Sequence, residues 1–256
     1  MPRYERIVSL SPAITEILFM IGLGEYVIGD SAFCVRPDKA RRIRKVGSYG
    51  TVRMEILEEI DPDVIFTISG FPHNLSTLLS EKFNVKELKL PSNVAGILNL
   101  VMEVGYETDA VEEARELYRN LVEQIGKINY KVGTVYIELD LGGPVSFGAY
   151  SYITDALYLK GLNSIYQGER REWLTPDFSY VKKMDPDIII FEPKMFRSID
   201  EDKIVNERGW SDLKAVKNDN VFVTPGNYDF FAHHGPSFIT EVLPWIDTII
   251  EKSKNK

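Results

Sequence analysis

Two segments of this chain recur further along it in the same order, and this internal repeat constrains the fold more than any other feature. Asp61-Pro62-Asp63, which precedes an apolar run, returns as Asp185-Pro186-Asp187 before a second apolar run. Ile14–Phe19, with a Gly-Leu pair a few residues behind it, returns as Ile153–Tyr158 with a second Gly-Leu pair. Two ordered repeats predict two lobes built on one plan, the alternative being that helix–turn–strand segments converge on such patterns by themselves.

Strands and helices alternate along each repeat. A strand over Arg6–Leu10 leads through Ser11-Pro12, a helix-start signal, into an apolar helix over Ile14–Ile21. A short helix over Met54–Ile60 precedes a buried strand over Val64–Ile68. This alternation predicts an α/β protein of two Rossmann-like lobes with mainly parallel sheets. Ligands of such sheets bind outside the carboxyl ends of the strands, so the loops after the strands are the candidate site.

A helical segment lies between the two copies and is expected to join the lobes. Asp109 to Glu112 has capping-box spacing. Apolar residues then recur at helical steps, at Val111, Ala114, Leu117, Leu121 and Ile125. We therefore predict an N-terminal lobe over residues 1–105, one long connecting helix over 106–130 and a C-terminal lobe over 131–256, with a ligand cleft between the lobes. A last amphipathic helix is predicted over Pro236–Glu251.

Composition excludes several classes of protein. The net charge is −8, the isoelectric point is about 5.1 and no basic stripe occurs, which argues against nucleic acid as a partner. Cys34 is the only cysteine, so neither an intramolecular disulfide nor a cysteine-based zinc site can form. No apolar run is long enough to span a bilayer, and the first residues lead straight into a strand. We expect either a cytoplasmic protein or an exported one whose signal segment is absent from this sequence.

The loops predicted after the strands are rich in aromatic residues. An aromatic residue in a loop usually plugs the core, but rings from five loops at one predicted edge suit a large, partly apolar ligand held by a few polar groups. The candidate ligand-binding residues in these loops are Tyr49, Phe71, His73, Phe147, Tyr150, Trp173, Tyr228, Asp229, Phe230 and His233.

All three histidines, His73, His233 and His234, lie in these loops. They could ligate a metal, or they could hydrogen-bond to ligand or backbone. Because adjacent His233 and His234 tend to point apart and so rarely ligate one ion together, we predict no metal site and no cofactor. Phosphate-binding loops, nucleophile elbows and zinc-protease motifs are absent from the sequence, so we predict no catalytic residues and no enzymatic activity.

Three ordered motifs carry a resemblance to a known family. They are Arg6–Pro12 with Thr15-Glu16 and Gly22-Leu23-Gly24, then Glu55–Leu57 leading to Asp61–Ile65, then Trp210–Asn218 followed by Val221–Val223. These motifs, which span essentially the whole chain, resemble the cobalamin and ferric-siderophore substrate-binding proteins of ABC importers. The chain is most similar to the vitamin B12 binders. Tyr49 aligns with the aromatic that they stack on the corrin, Trp173 with a tryptophan, and Tyr228-Asp229-Phe230 with a loop that supplies an aromatic and an acid.

The resemblance implies two α/β lobes joined by one long helix, a small-molecule ligand, and delivery of that ligand to a membrane permease by a monomer outside the cytoplasmic membrane. The ligand would be a corrinoid, with haem or a ferric siderophore as alternatives and a metal-dependent enzyme on the same scaffold as a rival from another class. The family docks through a glutamate on each lobe. The aligned positions here hold Asn74 and Ser179, which departs from that pattern, and the acidic residues nearby are Glu55, Glu169 and Glu172.

Overall fold

The structure, a computed structural model, describes residues 3–48, 50–70 and 74–254. The chain divides into two compact units. The first contains the residues up to Pro91 with Ala95–Gln124 and His234–Pro236, and the second contains Ser92–Val94, Ile125–His233 and the residues from Ser237 onward. Within the described ranges, no helix has the length and apolar character needed to cross a membrane.

The first unit holds a five-stranded sheet in which every neighbouring pair is parallel. Its strands are β1 (Ile7–Ser9), β2 (Val27–Ser31), β3 (Lys45–Gly47), β4 (Val64–Ile68) and β5 (Val85–Leu88). They lie in the order β3-β2-β1-β4-β5. The order reverses between β1 and β4, and the carboxyl ends at such a reversal are where open parallel sheets bind ligands.

The second unit holds a mixed sheet around a long central strand. Its strands are β6 (Gly133–Asp140), β7 (Pro144–Phe147), β8 (Leu162–Ser164), β9 (Trp173–Leu174), β10 (Ile188–Glu192) and β11 (Val221–Val223). β10 pairs in parallel with β6 and with β11, and β8 pairs in parallel with the start of β6. β7 turns back antiparallel to the end of β6, and β9 pairs antiparallel with β7. Mainly parallel sheets are therefore confirmed, with this antiparallel hairpin as an addition.

Helices flank both sheets. Those before Ile125 are α1 (Pro12–Met20), α2 (Met54–Ile60), α3 (Leu75–Ser80), α4 (Val94–Thr108) and α5 (Val111–Gln124). Those after it are α6 (Tyr152–Leu159), α7 (Phe178–Met184), α8 (Glu201–Glu207), α9 (Lys214–Lys217) and α10 (Leu243–Lys254). Short 3₁₀ turns cover Gly24–Tyr26 and Asp38–Arg42, and a π-helical turn over Phe238–Val242 leads into α10.

The helical half of the repeat is confirmed. Ser11 and Ser151 are the N-caps of α1 and α6, and each side chain accepts a hydrogen bond from a backbone N–H of the first turn. Shortly after each helix comes a glycine at positive φ, Gly22 at 83° and Gly161 at 86°. That left-handed conformation is open to glycine at no steric cost, which explains why the Gly-Leu pair recurs with the helix.

The aspartate half of the repeat is confirmed as well. Asp61 and Asp185 end α2 and α7 in the left-handed conformation, with φ of 41° and 47°. Two residues later, Asp63 Oδ2 accepts a hydrogen bond from the N–H of Arg6 at 2.9 Å, and Asp187 Oδ2 accepts one from the N–H of Thr134 at 2.8 Å. These aspartates terminate helices and fix the start of β1 and β6.

The segment predicted to form one helix over 106–130 differs in the structure. α4 runs to Thr108, Asp109 has a φ of 59°, and α5 begins at Val111 and ends at Gln124. An N-cap residue normally has extended backbone, so the positive φ means that the predicted capping box at Asp109 is wrong. The predicted apolar face is present, since Ala114, Leu117 and Leu121 are buried. The residues of α5 fall in the first compact unit, so the unit limits differ from the predicted boundaries at 105 and 130.

Candidate functional site

Buried hydroxyl groups and the thiol gather at the carboxyl ends of β1 and β2 in the first unit. Thr15 Oγ1 lies 2.8 Å from Ser9 Oγ and 3.1 Å from Cys34 Sγ, and Ser31 Oγ lies 3.3 Å from the same sulfur. Burial and, second to it, the negative charge of Asp30 raise the pKa of the Cys34 thiol to about 11. Because the thiolate is the reactive form, this cysteine is a packing residue and a poor nucleophile.

Asp30 has a buried carboxyl group at the same edge of the first unit's sheet. Its Oδ1 accepts a hydrogen bond from Lys45 Nζ at 2.8 Å, and that ammonium also donates to the carbonyl oxygens of Cys34 and Ala40, each at 3.0 Å. Burial raises the pKa of Asp30 to about 7, although the hydrogen bond and the charge of Lys45 act in the opposite direction. Lys45 thus joins β2, β3 and the intervening loop through one ammonium group.

Three predicted ligand-binding residues of the first unit, Tyr49, Phe71 and His73, lie outside the described residues. The segments that lead to them are described. β3 ends at Gly47, and Gly70 follows the end of β4, so both segments leave the sheet at its carboxyl edge. The roles of the three side chains stay predictions.

The structure places Phe147 and Trp173 on strands, where the sequence predicted loops. The two residues are register partners in the antiparallel pair of β7 and β9. Phe147 lies on β7 and is buried in the core of the second unit, so its predicted place in a loop is wrong. The reason is the reversal of the chain after β6, which carries the end of β7 back along the sheet. Trp173, on the short edge strand, is 60% exposed.

Tyr150 follows β7 and borders a cavity of about 450 Å³ in the second unit. The side chain is 55% exposed. The cavity is lined by aromatic and small polar side chains: Ser92, Asn93, Ala149, Tyr150, Thr154, Asp155, Tyr158 and Gln167. Hydroxyl, amide and carboxyl groups beside tyrosine rings suit a polar portion of a ligand.

The carboxylate of Glu192, at the end of β10, organises the loop after β11. Oε1 accepts hydrogen bonds from the N–H groups of Phe230 at 3.0 Å and Ala232 at 3.3 Å, and Oε2 accepts one from Phe231 at 2.6 Å. Burial raises the pKa of Glu192 to about 7, with the charge of Asp229 acting in the same direction and the three amide bonds opposing it.

This anchoring draws part of the loop into the core. The ring centre of Phe230 lies 5.9 Å from that of Phe231 and 5.6 Å from that of Trp245. Phe230 and His233 lie on the predicted loop, but both side chains are buried. Their contacts with a ligand stay predictions. Tyr228 and Asp229, which precede the anchored amides, keep partial exposure.

Sequence reasoning passed over the loop after β10. Its Phe196 is 67% exposed, and its ring meets that of Tyr228 edge to face, with centroids 5.5 Å apart and an interplanar angle of 86°. The backbone N–H of Phe196 donates to the carbonyl oxygen of Asn227 at 2.7 Å. The signal was available, because this loop follows the apolar run of the second Asp-Pro-Asp copy as the other candidate loops follow their strands.

Within residues 3–48, 50–70 and 74–254, no group of three or more His, Cys, Asp or Glu side chains is arranged to hold a metal ion. The exposed groups at the strand ends of the second unit are aromatic rings, together with the hydroxyl, amide and carboxyl groups of the cavity beside Tyr150. Such surfaces bind organic molecules by ring contact and hydrogen bonding.

Two α/β units built on one repeat, the second with exposed aromatic rings at the ends of its strands, are the architecture of a binding protein for small molecules. The sequence model of the periplasmic binding protein family matches residues 7–228, and this chain belongs to that family.

Individual relatives agree with this placement. An uncharacterised ABC transporter substrate-binding lipoprotein of Bacillus subtilis is 24% identical over 263 residues, which cover 96% of this chain and 80% of the relative. A periplasmic vitamin B12-binding protein of Vibrio cholerae shares the fold with a TM-score of 0.76 at 19% identity over 99% of both chains. A periplasmic haem-binding protein of Roseiflexus sp. RS-1 shares it with a TM-score of 0.78 at 17% identity over 96% of this chain and 99% of the other.

Proposed function

We propose that this protein is the substrate-binding component of an ABC importer, that it works outside the cytoplasmic membrane, and that it binds a corrinoid without changing it chemically. Its membership of the periplasmic binding protein family and its similarity to a substrate-binding lipoprotein support the importer role and the location. Besides the ligand, the binding partner of the protein would be the permease of that importer.

The proposal of a corrinoid as the ligand rests on the exposed aromatic side chains of the second unit. Trp173 and Tyr150 are more than half exposed, and Tyr228 is partly exposed. Covering apolar surface contributes roughly 25 cal/mol per Å², so rings held in water favour a ligand that covers them. A corrinoid offers a large ring system with apolar faces and amide side groups, which matches rings accompanied by Asp229 and the polar side chains around Tyr150. The fold shared with a vitamin B12-binding protein is consistent with such a ligand.

Haem is the second candidate, because a haem-binding protein also shares the fold. Its iron would need an axial ligand, and the imidazole of His233 is buried, so ligation by that residue would require the loop to rearrange. A catecholate siderophore, which is anionic with its iron, would need convergent arginines. Arg171 lies 3.6 Å from Glu169, and Arg53 donates to the carbonyl oxygen of Lys45, so both guanidinium groups are engaged within the chain.

Titration of the purified protein with aquocobalamin, haemin and a ferric siderophore tests the proposal. A ligand at 100 times its Kd adds about 2.7 kcal/mol to the free energy of unfolding, which a thermal shift measurement detects. We expect stabilisation by aquocobalamin and quenching of tryptophan fluorescence through Trp173. Stabilisation by haemin alone, with a shifted Soret band, would replace the corrinoid by haem. No stabilisation by any of the three would contradict the proposed class of ligand.

A further inference from the structure

Phe196 has a backbone conformation that bulky residues rarely adopt. Its φ is 64°, in the left-handed region that favours glycine, asparagine and aspartate. A phenylalanine there is an outlier and costs free energy relative to glycine. Such strain persists only where the surrounding structure holds it, and it concentrates at functional sites.

Two loops hold Phe196 in this conformation. Its N–H donates to Asn227 at 2.7 Å, and the N–H of Arg197 donates to the carbonyl oxygen of Lys194 at 2.9 Å. Asn227 belongs to the loop whose later amides bind the carboxylate of Glu192. Glu192 is the last residue of β10, and the loop that carries Phe196 begins directly after it. One carboxylate therefore anchors both the loop of Phe196 and the loop of Tyr228.

The strained position does not place the ring in the core. Phe196 is 67% exposed, and its ring contacts Tyr228 edge to face. A large apolar side chain held out in water by a strained backbone contributes little to folding. Because β10 and β11 are parallel, both rings lie at the carboxyl edge of the sheet, where α/β sheets bind ligands.

We propose that Phe196 is a ligand-contact residue that forms, with Tyr228, an aromatic corner against an apolar face of the ligand. This inference rests on the proposed function and deepens it. A small polar solute has no apolar face with which to cover the two rings. A conjugated macrocycle has a flat apolar face and hydrocarbon edges that two perpendicular rings contact together. Phe196 would therefore favour macrocycles over small polar ligands.

The test compares Phe196→Ser and Phe196→Gly with the unmodified protein. The probe is aquocobalamin, or haemin if haemin is the one of the two that binds. Both variants should lose affinity by on the order of ten-fold, as for truncated aromatic contacts. Phe196→Gly should keep or raise the melting temperature, because glycine relieves the positive φ. Phe196→Tyr should retain the affinity. Tyr130→Ser is the matched control, since Tyr130 is 93% exposed and precedes β6 at the opposite edge of the sheet.

Two results would overturn the inference while leaving the proposed function in place. One is unchanged affinity in both Phe196→Ser and Phe196→Gly. The other is a loss of affinity accompanied by a lowered melting temperature in both variants, Phe196→Gly included. If the unmodified protein binds neither aquocobalamin nor haemin, the macrocycle proposal fails and this inference fails with it. Equal losses in Tyr130→Ser would also count against a specific contact.

Discussion

Glu138 and Arg208 form a bidentate ion pair inside the second unit, with guanidinium–carboxylate distances of 2.7 and 2.8 Å. The hydroxyl of Tyr136 donates to the same carboxylate, and the guanidinium carbon lies 3.9 Å from the centre of the Phe178 ring. Trp210 also packs against this group, with its ring centre 5.0 Å from the guanidinium carbon. Glu138 on β6 is thus joined to the turn after α8 through charge, hydrogen bonding and ring contact.

Removing one partner of this pair should be costly. We expect Arg208→Met to lower the free energy of unfolding by about 3–5 kcal/mol, because the carboxylate of Glu138 would stay buried without its counter-charge. Urea denaturation measures the loss. The control is Arg44→Met, since Arg44 pairs with Glu59 on the surface, and we expect no measurable change there. Equal losses in the two variants would show that burial does not govern the strength of these pairs.

Glu192 should make stability depend on pH. Its pKa rises from an ordinary 4.5 to about 7 through burial, so between these values the folded protein holds a proton that the unfolded chain has released. The free energy of unfolding therefore falls as the pH rises from about 4.5 to 7, by on the order of 3 kcal/mol from this group. Glu192→Gln should remove this contribution, so its stability relative to the unmodified protein should improve across that interval.

Denaturation at several pH values between 4 and 8 measures that difference. Asp30→Asn provides a second case in the other unit, because burial raises the pKa of Asp30 to about 7 too and the same sign applies. A stability difference that stays constant with pH in both variants would mean that the two carboxyls ionise at ordinary values in the folded protein.

Much of the fold could be predicted because its signals are local. α2 and β4 have the predicted bounds, Met54–Ile60 and Val64–Ile68, since an aspartate turn separates a helical from an extended apolar run. The burial of Phe147 and Phe230 could not be predicted in this way. The first depends on the chain reversing after β6, and the second on a carboxylate 38 residues earlier in the sequence. Contacts between segments that are distant in the sequence thus decide which aromatic side chains remain exposed to solvent.

Gly105 on α4 should resist enlargement. A β-carbon added there would overlap the β-carbon of Ala114 on α5. The better helix propensity of alanine is worth about 1 kcal/mol, but overpacking between two helix backbones costs typically 1–3 kcal/mol. The net effect that we expect for Gly105→Ala is a loss of up to about 2 kcal/mol in the free energy of unfolding, measured in a urea titration. Gly168→Ala is the control, because a β-carbon there meets nothing within 4 Å, and it should be neutral.

Substitution of Trp173 should affect ligand binding, whereas substitution of Phe147 should affect stability. They face each other across β7 and β9, yet the first is exposed and the second is buried in the core. We expect Trp173→Ala to weaken aquocobalamin binding by roughly 1–3 kcal/mol while the melting temperature stays nearly unchanged. Phe147→Ala should lower the free energy of unfolding by about 3–5 kcal/mol, as for a core aromatic residue. Fluorescence titration and thermal denaturation of both variants give the comparison. Unchanged affinity in Trp173→Ala would remove this tryptophan from the site, and the aromatic contact would then rest on Tyr228 and its neighbours after β10 and β11.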